Sequence, residues 1–357
     1  MRRLAVSMAA VAVMGAGSVS RAQQPTTGAE MYGAWCAACH GPDGKGRFAE
    51  RPVKTDPLDF TNCRQASAES DADWTRVIAR GGPAAGLSSE MPEFSMLNES
   101  QIGALVRRLR AFCSDARWPT GNFAFPRALF TTKALPEDEV VIRPMVSHGE
   151  FAKMRSRIAA AYEMRLAPRT GIEVSLPFES VEGPVGQHTA IGDITVAVSH
   201  VLTAPSPDRG IATVGVEVSL QTGSLRWSFG EGTTVIEPFL AAGRRAGPWY
   251  MQGDVRAILP IHRFPNEPVR YVGYNFSMLT AFGADVPNWG AGVEINGIDR
   301  IVGFAPQISK RLTASGALTA GFGVRIPITP AYPKAVDVTR WTGYLVWDFR
   351  EPIRSRK

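Results

Sequence analysis

The spacing of apolar residues changes period once along the chain. In NESQIGALVRRLRAFC, residues 98–113, Ile102, Leu105, Val106, Leu109 and Phe112 recur every three or four positions and predict an amphipathic helix. Asn98, followed three residues later by Gln101, has the pattern of a capping box. The apolar stripe can pack on an earlier predicted helix that carries Met31, Tyr32 and Trp35. From about residue 139 the period becomes two. IEVSLPF sets Ile172, Val174, Leu176 and Phe178 against Glu173, Ser175 and Pro177, and VGVEVSL sets Val214, Val216, Val218 and Leu220 against Gly215, Glu217 and Ser219. Near the end, LTAGFGVRIPI places Leu318, Phe322, Val324, Ile326 and Ile328 opposite Thr319, Gly321, Gly323 and Arg325.

Such segments run over 139–147, 155–167, 170–180, 191–203, 211–222, 232–244, 249–261, 268–282, 288–299, 301–312, 317–329 and 340–350. These are about twelve strands, each near the ~10 residues of a tilted membrane strand. A soluble sandwich would use strands of about 5 to 6 residues with their apolar faces turned inward. The length, the small or charged alternate residues and the late aromatics Trp341, Tyr344, Trp347 and Phe349 favour a membrane barrel. The expected fold is multidomain: a small all-α domain followed by an all-β antiparallel transmembrane barrel of about 12 strands.

Between the two patterns Pro119, Pro126 and Pro136 preclude a continuous helix or central strand. Residues 117–138 therefore read as a linker, and Trp118, Phe123, Phe125 and Phe130 make it an ordered strap packed on one domain or the other. At the start, Arg2 and Arg3, the apolar run Leu4 to Val19 and Ser20-Arg21-Ala22 predict a signal peptide over 1–22. The expected division is 1–22 signal peptide, 23–116 helical domain, 117–138 linker and 139–357 barrel.

Composition changes this picture little. A length of 357 residues with 45% hydrophobic content suits two folded domains, and 35 Gly with 26 Pro imply many turns. The net charge of +6 is dispersed, with no basic run interleaved with aromatics, so no nucleic-acid partner is expected.

The chemistry concentrates in CAACHGPDGKGR, residues 36–47. Two cysteines separated by two residues and followed by histidine are the attachment signature of a c-type haem. Cys36 and Cys39 would form the thioethers, and His40 would be the proximal iron ligand. A zinc site would need two further ligands at suitable spacing, and none is offered nearby. Methionine suits the sixth position of an electron-transfer haem. Met31 is too close in sequence to reach the opposite haem face; Met91, in SSEMPEF after Gly81, Gly82, Pro83 and Gly86, is the favoured ligand, with Met96 the alternative. Export leaves Cys63 and Cys113 in an oxidising compartment, where a disulfide between them is expected.

Helix, CxxCH, Gly-rich loop, Met-Pro loop and terminal helix follow one another as in class I cytochrome c, which residues 26–113 closely resemble. The resemblance implies one covalent haem c ligated by His40 and Met91. The second half resembles outer-membrane barrels grouped with phenol-degradation pathway transporters, on phrases such as IGDITVAVSHVL. With DADWTRVIARGG, MPEF and ALPEDE added, the whole chain is similar to a bacterial family of fused cytochrome and barrel proteins. One departure is the tail, where Arg350 to Lys357 follow the last aromatic, Phe349.

Twelve strands tilted by ~40° give a backbone diameter of about 24 Å, too narrow for a haem domain about 30 Å across. An even strand number puts both barrel ends on one side, which in bacterial barrels faces the periplasm. The haem domain is thus expected below the pore, in the periplasm, with the barrel in outer-membrane lipid and loops such as Thr203–Gly210 open to the outside. Three functions follow. The first is an electron-transfer protein with a periplasmic redox partner; the second is a pore for small solutes, aromatic ones included, in the lumen with an accessory cytochrome; the third is a fused cytochrome-porin iron oxidase. An electron carrier is favoured over an enzyme, and no catalytic residues are assigned. His148, His188, His200 and His262 are scattered, with no pair at metal-ligand spacing.

Overall fold

The computed structural model describes residues 25–47, 53–147, 154–183, 186–202, 210–225, 229–262, 271–283, 288–329 and 339–349. The expected signal peptide and His148 lie outside the described residues. The first domain opens with a helical stretch built of α1 (Gly28–Met31), a π-helical turn (Tyr32–Cys36) and α2 (Ala37–His40). Helices α3 (Cys63–Ala68), α4 (Asp71–Arg80) and α5 (Glu99–Arg110) follow. Asn98 and Gln101 cap each other's backbone at the start of α5, as their spacing predicts.

Helix α5 buries Ile102, Leu105, Val106 and Leu109 against Met31, Tyr32, Phe60, Trp74 and Ile78. Each such side chain contributes about 1.5–3 kcal/mol on leaving water. Close approach of the first and last helices is set at Gly28, where a Cβ would lie 2.2 Å from the Ala104 carbonyl oxygen. Cys63 at the start of α3 is bonded to Cys113 just beyond α5, with Cα atoms 5.0 Å apart, tying the domain's middle to its end.

The second domain is a single antiparallel sheet. Its first strands are β1 (Glu139–Ser147), β2 (Met154–Ala167), β3 (Thr170–Gly183), β4 (Gly186–Ile191), β5 (Ile194–Val201) and β6 (Ile211–Leu220). The rest are β7 (Val235–Ala246), β8 (Trp249–Pro260), β9 (Tyr271–Phe282), β10 (Trp289–Ile298), β11 (Ile301–Arg311), β12 (Leu318–Pro327) and β13 (Arg340–Asp348). Apart from β4 and β5, which do not pair with each other, sequence neighbours pair throughout, and β1 pairs with β13, Glu139 opposite Asp348, so the sheet closes. Both β4 and β5 pair with β3, on its last and first residues respectively. They are two parts of one wall strand interrupted at Gly192-Asp193, and the closed ring therefore has twelve strands.

The faces alternate as the period-two pattern requires. Ile158, Tyr162, Phe178, Val214, Leu240, Phe276, Ile308, Phe322, Trp341 and Trp347 are exposed on the outside around the ring. Such a continuous apolar belt on a closed barrel is a lipid-facing surface, because in water it would be an aggregation hazard. Inward positions carry the charges, including Glu294 on β10, Asp254 on β8 and Arg325 on β12. Of the late aromatics, Trp341 and Trp347 face out, whereas Tyr344 is buried inside and its hydroxyl donates to the Arg127 carbonyl at 3.0 Å.

The first part of the linker lies on the helical domain, Gly121 against α3 and Asn122 on Asp71 of α4, and the rest runs inside the barrel. After a 3-10 turn at Gly121–Phe123 it enters the barrel lumen and returns to the wall at Glu139. Along this path Phe123, Phe125, Ala134 and Leu135 pack on Val201, Ile211, Phe239 and Ala241. The Thr203–Gly210 loop also corrects an expectation. Residues 203–209 lie outside the described residues, but Val201 and Ile211 flank them at the barrel end that carries Glu139 and Asp348, the same end as the haem domain and not the far one.

Candidate haem site

Cys36, Cys39 and His40 are brought together by the helical stretch 28–40. The π-helical turn ends on Cys36, α2 carries Cys39 and ends on His40, and Gly41, at φ +75°, breaks the helix there. Cys36 and Cys39 are unbonded and half-buried. Burial pushes the Cys36 thiol up to about 11, with Cys39 adding a smaller upward push, so Cys36 stays a thiol at neutral pH.

The loop after His40 is folded back on the core. Tyr32 donates its hydroxyl to the Gly41 carbonyl at 2.6 Å, and Gly46 donates its N–H to the His40 carbonyl at 2.8 Å. Gly44 must be glycine twice over: its φ is +76°, and a Cβ would meet the Phe112 ring at 2.8 Å. Phe60, 4.8 Å from the His40 ring, stacks on Phe112 and meets Trp74 edge-on, giving an apolar wall beside the imidazole.

His40 itself is held below the usual histidine range, chiefly by burial, with the Leu58 backbone pulling weakly the other way. Its Nδ1 is buried, and no aligned hydrogen bond satisfies it. A half-buried, neutral imidazole close in sequence to two free thiols is the donor set a c-type haem requires, since iron takes the neutral ring nitrogen.

Met91 sits in a loop pressed onto two glycines. The Gly82 N–H donates to the Met91 carbonyl at 3.0 Å, and the Met91 N–H donates to Ser88 O at 3.2 Å. A Cβ on Gly82 would lie 2.1 Å from Ser88 O, and one on Gly81, at φ +75°, would lie 3.0 Å from Met91 O. The Phe94 N–H donates to the Ile78 carbonyl at 2.9 Å, fixing the far side of the loop to α4. Glu90 accepts from the backbone N–H groups of Lys54 and Thr55, each at 2.9 Å, and these bonds hold its carboxyl below the usual range. Met91 is half-buried, whereas Met96 is 71% exposed. The residues present therefore fit a haem, which Cys36 and Cys39 would attach and to which His40 and the tightly seated Met91 loop would offer ligands.

The domain is seated on the barrel end that carries both barrel termini. Asp138, the residue before β1, accepts from the Arg165 backbone N–H at 2.9 Å and from its Nε and Nη2 at 3.1 and 3.0 Å. The same carboxylate accepts from Arg64 Nη2 of α3 at 2.6 Å. Arg165 also donates to the Arg64 carbonyl at 3.2 Å, so one buried node joins helix, linker and wall. Farther round the rim, Arg311 pairs with Asp73 at 3.7 Å, and Arg169 Nε donates to the Arg117 carbonyl at 3.3 Å. Among the described residues no group of three His, Cys, Asp or Glu is arranged to hold a separate metal ion.

Comparison with known proteins agrees for the first domain. Residues 23–107 match the model of the family described as cytochrome c oxidase, cbb3-type, subunit III. This is a cytochrome c domain. A haem is therefore its cofactor, and the CxxCH and Met-loop geometry lies inside the matched span. No curated protein matches the chain. Among solved structures, the chain is similar to the KdgM porin at 11% identity, over 59% of this chain and 99% of that one, with a TM-score of 0.41. It is similar to the NanC porin at 7% identity, over 59% and 98%, with a TM-score of 0.42. It is also similar to outer membrane phospholipase A from Escherichia coli at 9% identity, over 60% and 94%, with a TM-score of 0.38.

Sequence reasoning missed the docking node. Asp138 and Arg165 are single charges in unremarkable surroundings; the pairing of β1 with β2 makes them partners, and the seating of α3 adds Arg64. The tight seat of the Met91 loop had a signal in the paired glycines Gly81-Gly82.

Proposed function

We propose that this chain is an electron-transfer protein that holds one covalent haem at the periplasmic end of an outer-membrane barrel. The observation that carries the reading is the seat of the cytochrome c domain on the end of the barrel that bears both barrel termini, through Asp138, Arg64 and Arg165. In bacterial barrels that end faces the periplasm.

Cys36 and Cys39 would attach the group, and His40 and Met91 would supply its ligands. The bound haem provides a one-electron couple. The protein's own part is to keep the couple low-spin and in one place. Phe60 and Trp74 exclude water beside His40, and the Gly81-Gly82 seat holds Met91 so that exchange needs little rearrangement. A soluble periplasmic redox protein is the expected partner. The iron-oxidase reading requires the haem near the outer surface, and a domain docked at the opposite mouth is not there.

Two experiments test this. A Cys36→Ala, Cys39→Ala protein should give a full-length band that no longer stains for haem on a denaturing gel; a stained band would overturn the attachment. Protease added to intact cells should leave the cytochrome domain whole, and cleavage there would overturn the periplasmic placement and favour the oxidase.

A further inference from the structure

The barrel's lumen is occupied by the chain's own linker. Glu294 of β10, 0% exposed, accepts from three consecutive backbone N–H groups of the strap. These are Leu129, Phe130 at 3.0 Å and Thr131 at 2.9 Å, and the Thr131 hydroxyl adds a fourth bond at 2.9 Å. Gln307 of β11 steadies the same carboxylate at 2.7 Å. On the next wall, Asp254 accepts from the Thr132 N–H at 2.7 Å and Arg256 donates to the Thr132 hydroxyl at 2.6 Å. Gln252 donates to the Pro126 carbonyl at 3.1 Å, and Thr213 donates to the Ala134 carbonyl.

This segment has no secondary structure to satisfy its backbone, and the barrel wall does so instead. Buried inward side chains occur on almost every wall strand, among them Val141, Thr213, Gln252, Ser277, Gln307 and Thr342. A water-filled pore would leave such residues wet. A lumen of about 24 Å between backbones loses about half that width to inward side chains, and the two passes of the strap fill the remainder.

Both ends of the strap are gripped by the cytochrome domain, through α3 at each end and through α4 at the entry as well. At the entry, Asn122 bonds Asp71 of α4 through the Asp71 N–H at 2.8 Å and its carboxylate at 2.9 Å. Gly121 lies so close to α3 that a Cβ would meet Ala68 O at 2.2 Å. At the exit, Asp138 is held by Arg64 of α3. We propose that the strap is a plug, latched to the lumen wall by Glu294 and clamped from below by the cytochrome domain, so that seating of the haem domain and closure of the lumen are one equilibrium. The inference depends on the barrel spanning a bilayer and not on the direction or partner of electron transfer.

The test is single-channel recording of the full-length protein in planar lipid bilayers, with the haem spectrum and heat-modifiable gel migration checked for every variant. The parent protein should show no steady conductance steps. Glu294→Gln should raise the open fraction by about tenfold or more, the change that a shift of ~1.4 kcal/mol produces. If that variant does not fold, replacement of Leu129–Thr132 by Gly-Ser repeats leaves the wall intact and should open steps of constant size. Asp138→Asn, which leaves the Glu294 latch in place, should raise the open fraction too. A parent that conducts steadily, or a folded strap replacement that stays closed, overturns the plug. An Asp138→Asn protein as closed as the parent, beside an open strap replacement, overturns the coupling to the haem domain. Neither result bears on haem attachment, which is read from the spectrum.

Discussion

Removing the carboxylate of Asp138 should release the cytochrome domain from the barrel while leaving both folded. In the structure Asp138 and Arg165 are 7% and 6% exposed in their side chains, and Arg64 is 41% exposed. Breaking a buried pair by deleting one partner costs about 3–5 kcal/mol, because the surviving charge is left without compensation. The Arg64 contact is half in water and adds at most about 1 kcal/mol. At about 1.4 kcal/mol per factor of ten, Asp138→Ala should weaken seating by roughly two to four powers of ten. Asp138→Asn should fall between, since its amide oxygen can still accept from the Arg165 backbone N–H. Hydrogen exchange followed by mass spectrometry in detergent is the assay. Peptides covering Asn62–Ala68 and Trp118–Phe123 should lose protection, whereas the strands paired in the ring and the α5 peptide should keep theirs. Unchanged exchange at 62–68 in Asp138→Ala would refute the node. Equal loss of protection across α5 would instead mean that the domain had unfolded rather than undocked, which also refutes the reasoning.

Met91→Ala should retain covalent haem and bind carbon monoxide, while Met96→Ala, at a position 71% exposed, should leave the low-spin spectrum unchanged; the reverse pattern would move the ligand to Met96. Cys63→Ser with Cys113→Ser opens a closure spanning 50 residues and should destabilise the cytochrome domain by about 4 kcal/mol on chain-entropy grounds, read as a lower melting temperature for the haem signal with barrel migration unaffected. Gly28→Ala drives a methyl into the Ala104 carbonyl and should cost about 1–3 kcal/mol in the same melt.

Much of the architecture was legible because two periods carry it. The α5 stripe and the alternation in β6 and β12 each assign a face to every residue, and the exposed Val214, Val216 and Phe322 are where that alternation puts them. Strand limits agree closely for most of the ring. The pairing on β3 was less legible, since Gly192-Asp193 interrupts a strand that the alternation alone would start near 191. There the Asp193 carboxylate accepts from the backbone N–H groups of Thr222, Gly223 and Glu231, a loop-organising role that periodicity does not report.

The strap shows the other limit. Its prolines and aromatics announced an ordered segment without regular structure, but not its place. What fixes it is the pairing of strap backbone donors with a carboxylate more than 160 positions later, and a backbone N–H has no residue type to read. A weaker signal was present: Glu294 lies within GVEIN among inward positions occupied mostly by Gly and Asn, where a lone carboxylate needs a donor that the neighbouring wall residues do not all provide.

Placement of the haem and closure of the lumen constrain each other. Strands of 9 to 14 residues, with β4 and β5 together making one longer wall strand, are tilted across a bilayer and separate the two mouths by about 25 Å or more. A haem seated at one mouth can meet an electron donor on the far side only if that donor travels down the lumen, and with Glu294 holding Leu129, Phe130 and Thr131 across it no such route is open. If the strap stays in place, exchange is confined to the periplasmic side and the barrel serves as a mount. If the strap leaves, the grips at Asp71 and Arg64 must slacken with it, so any solute admitted would arrive at a haem domain already loosened from its seat. Conductance and cytochrome docking, measured on the same Asp138 variants, therefore decide together whether the barrel is a mount or a gated conduit.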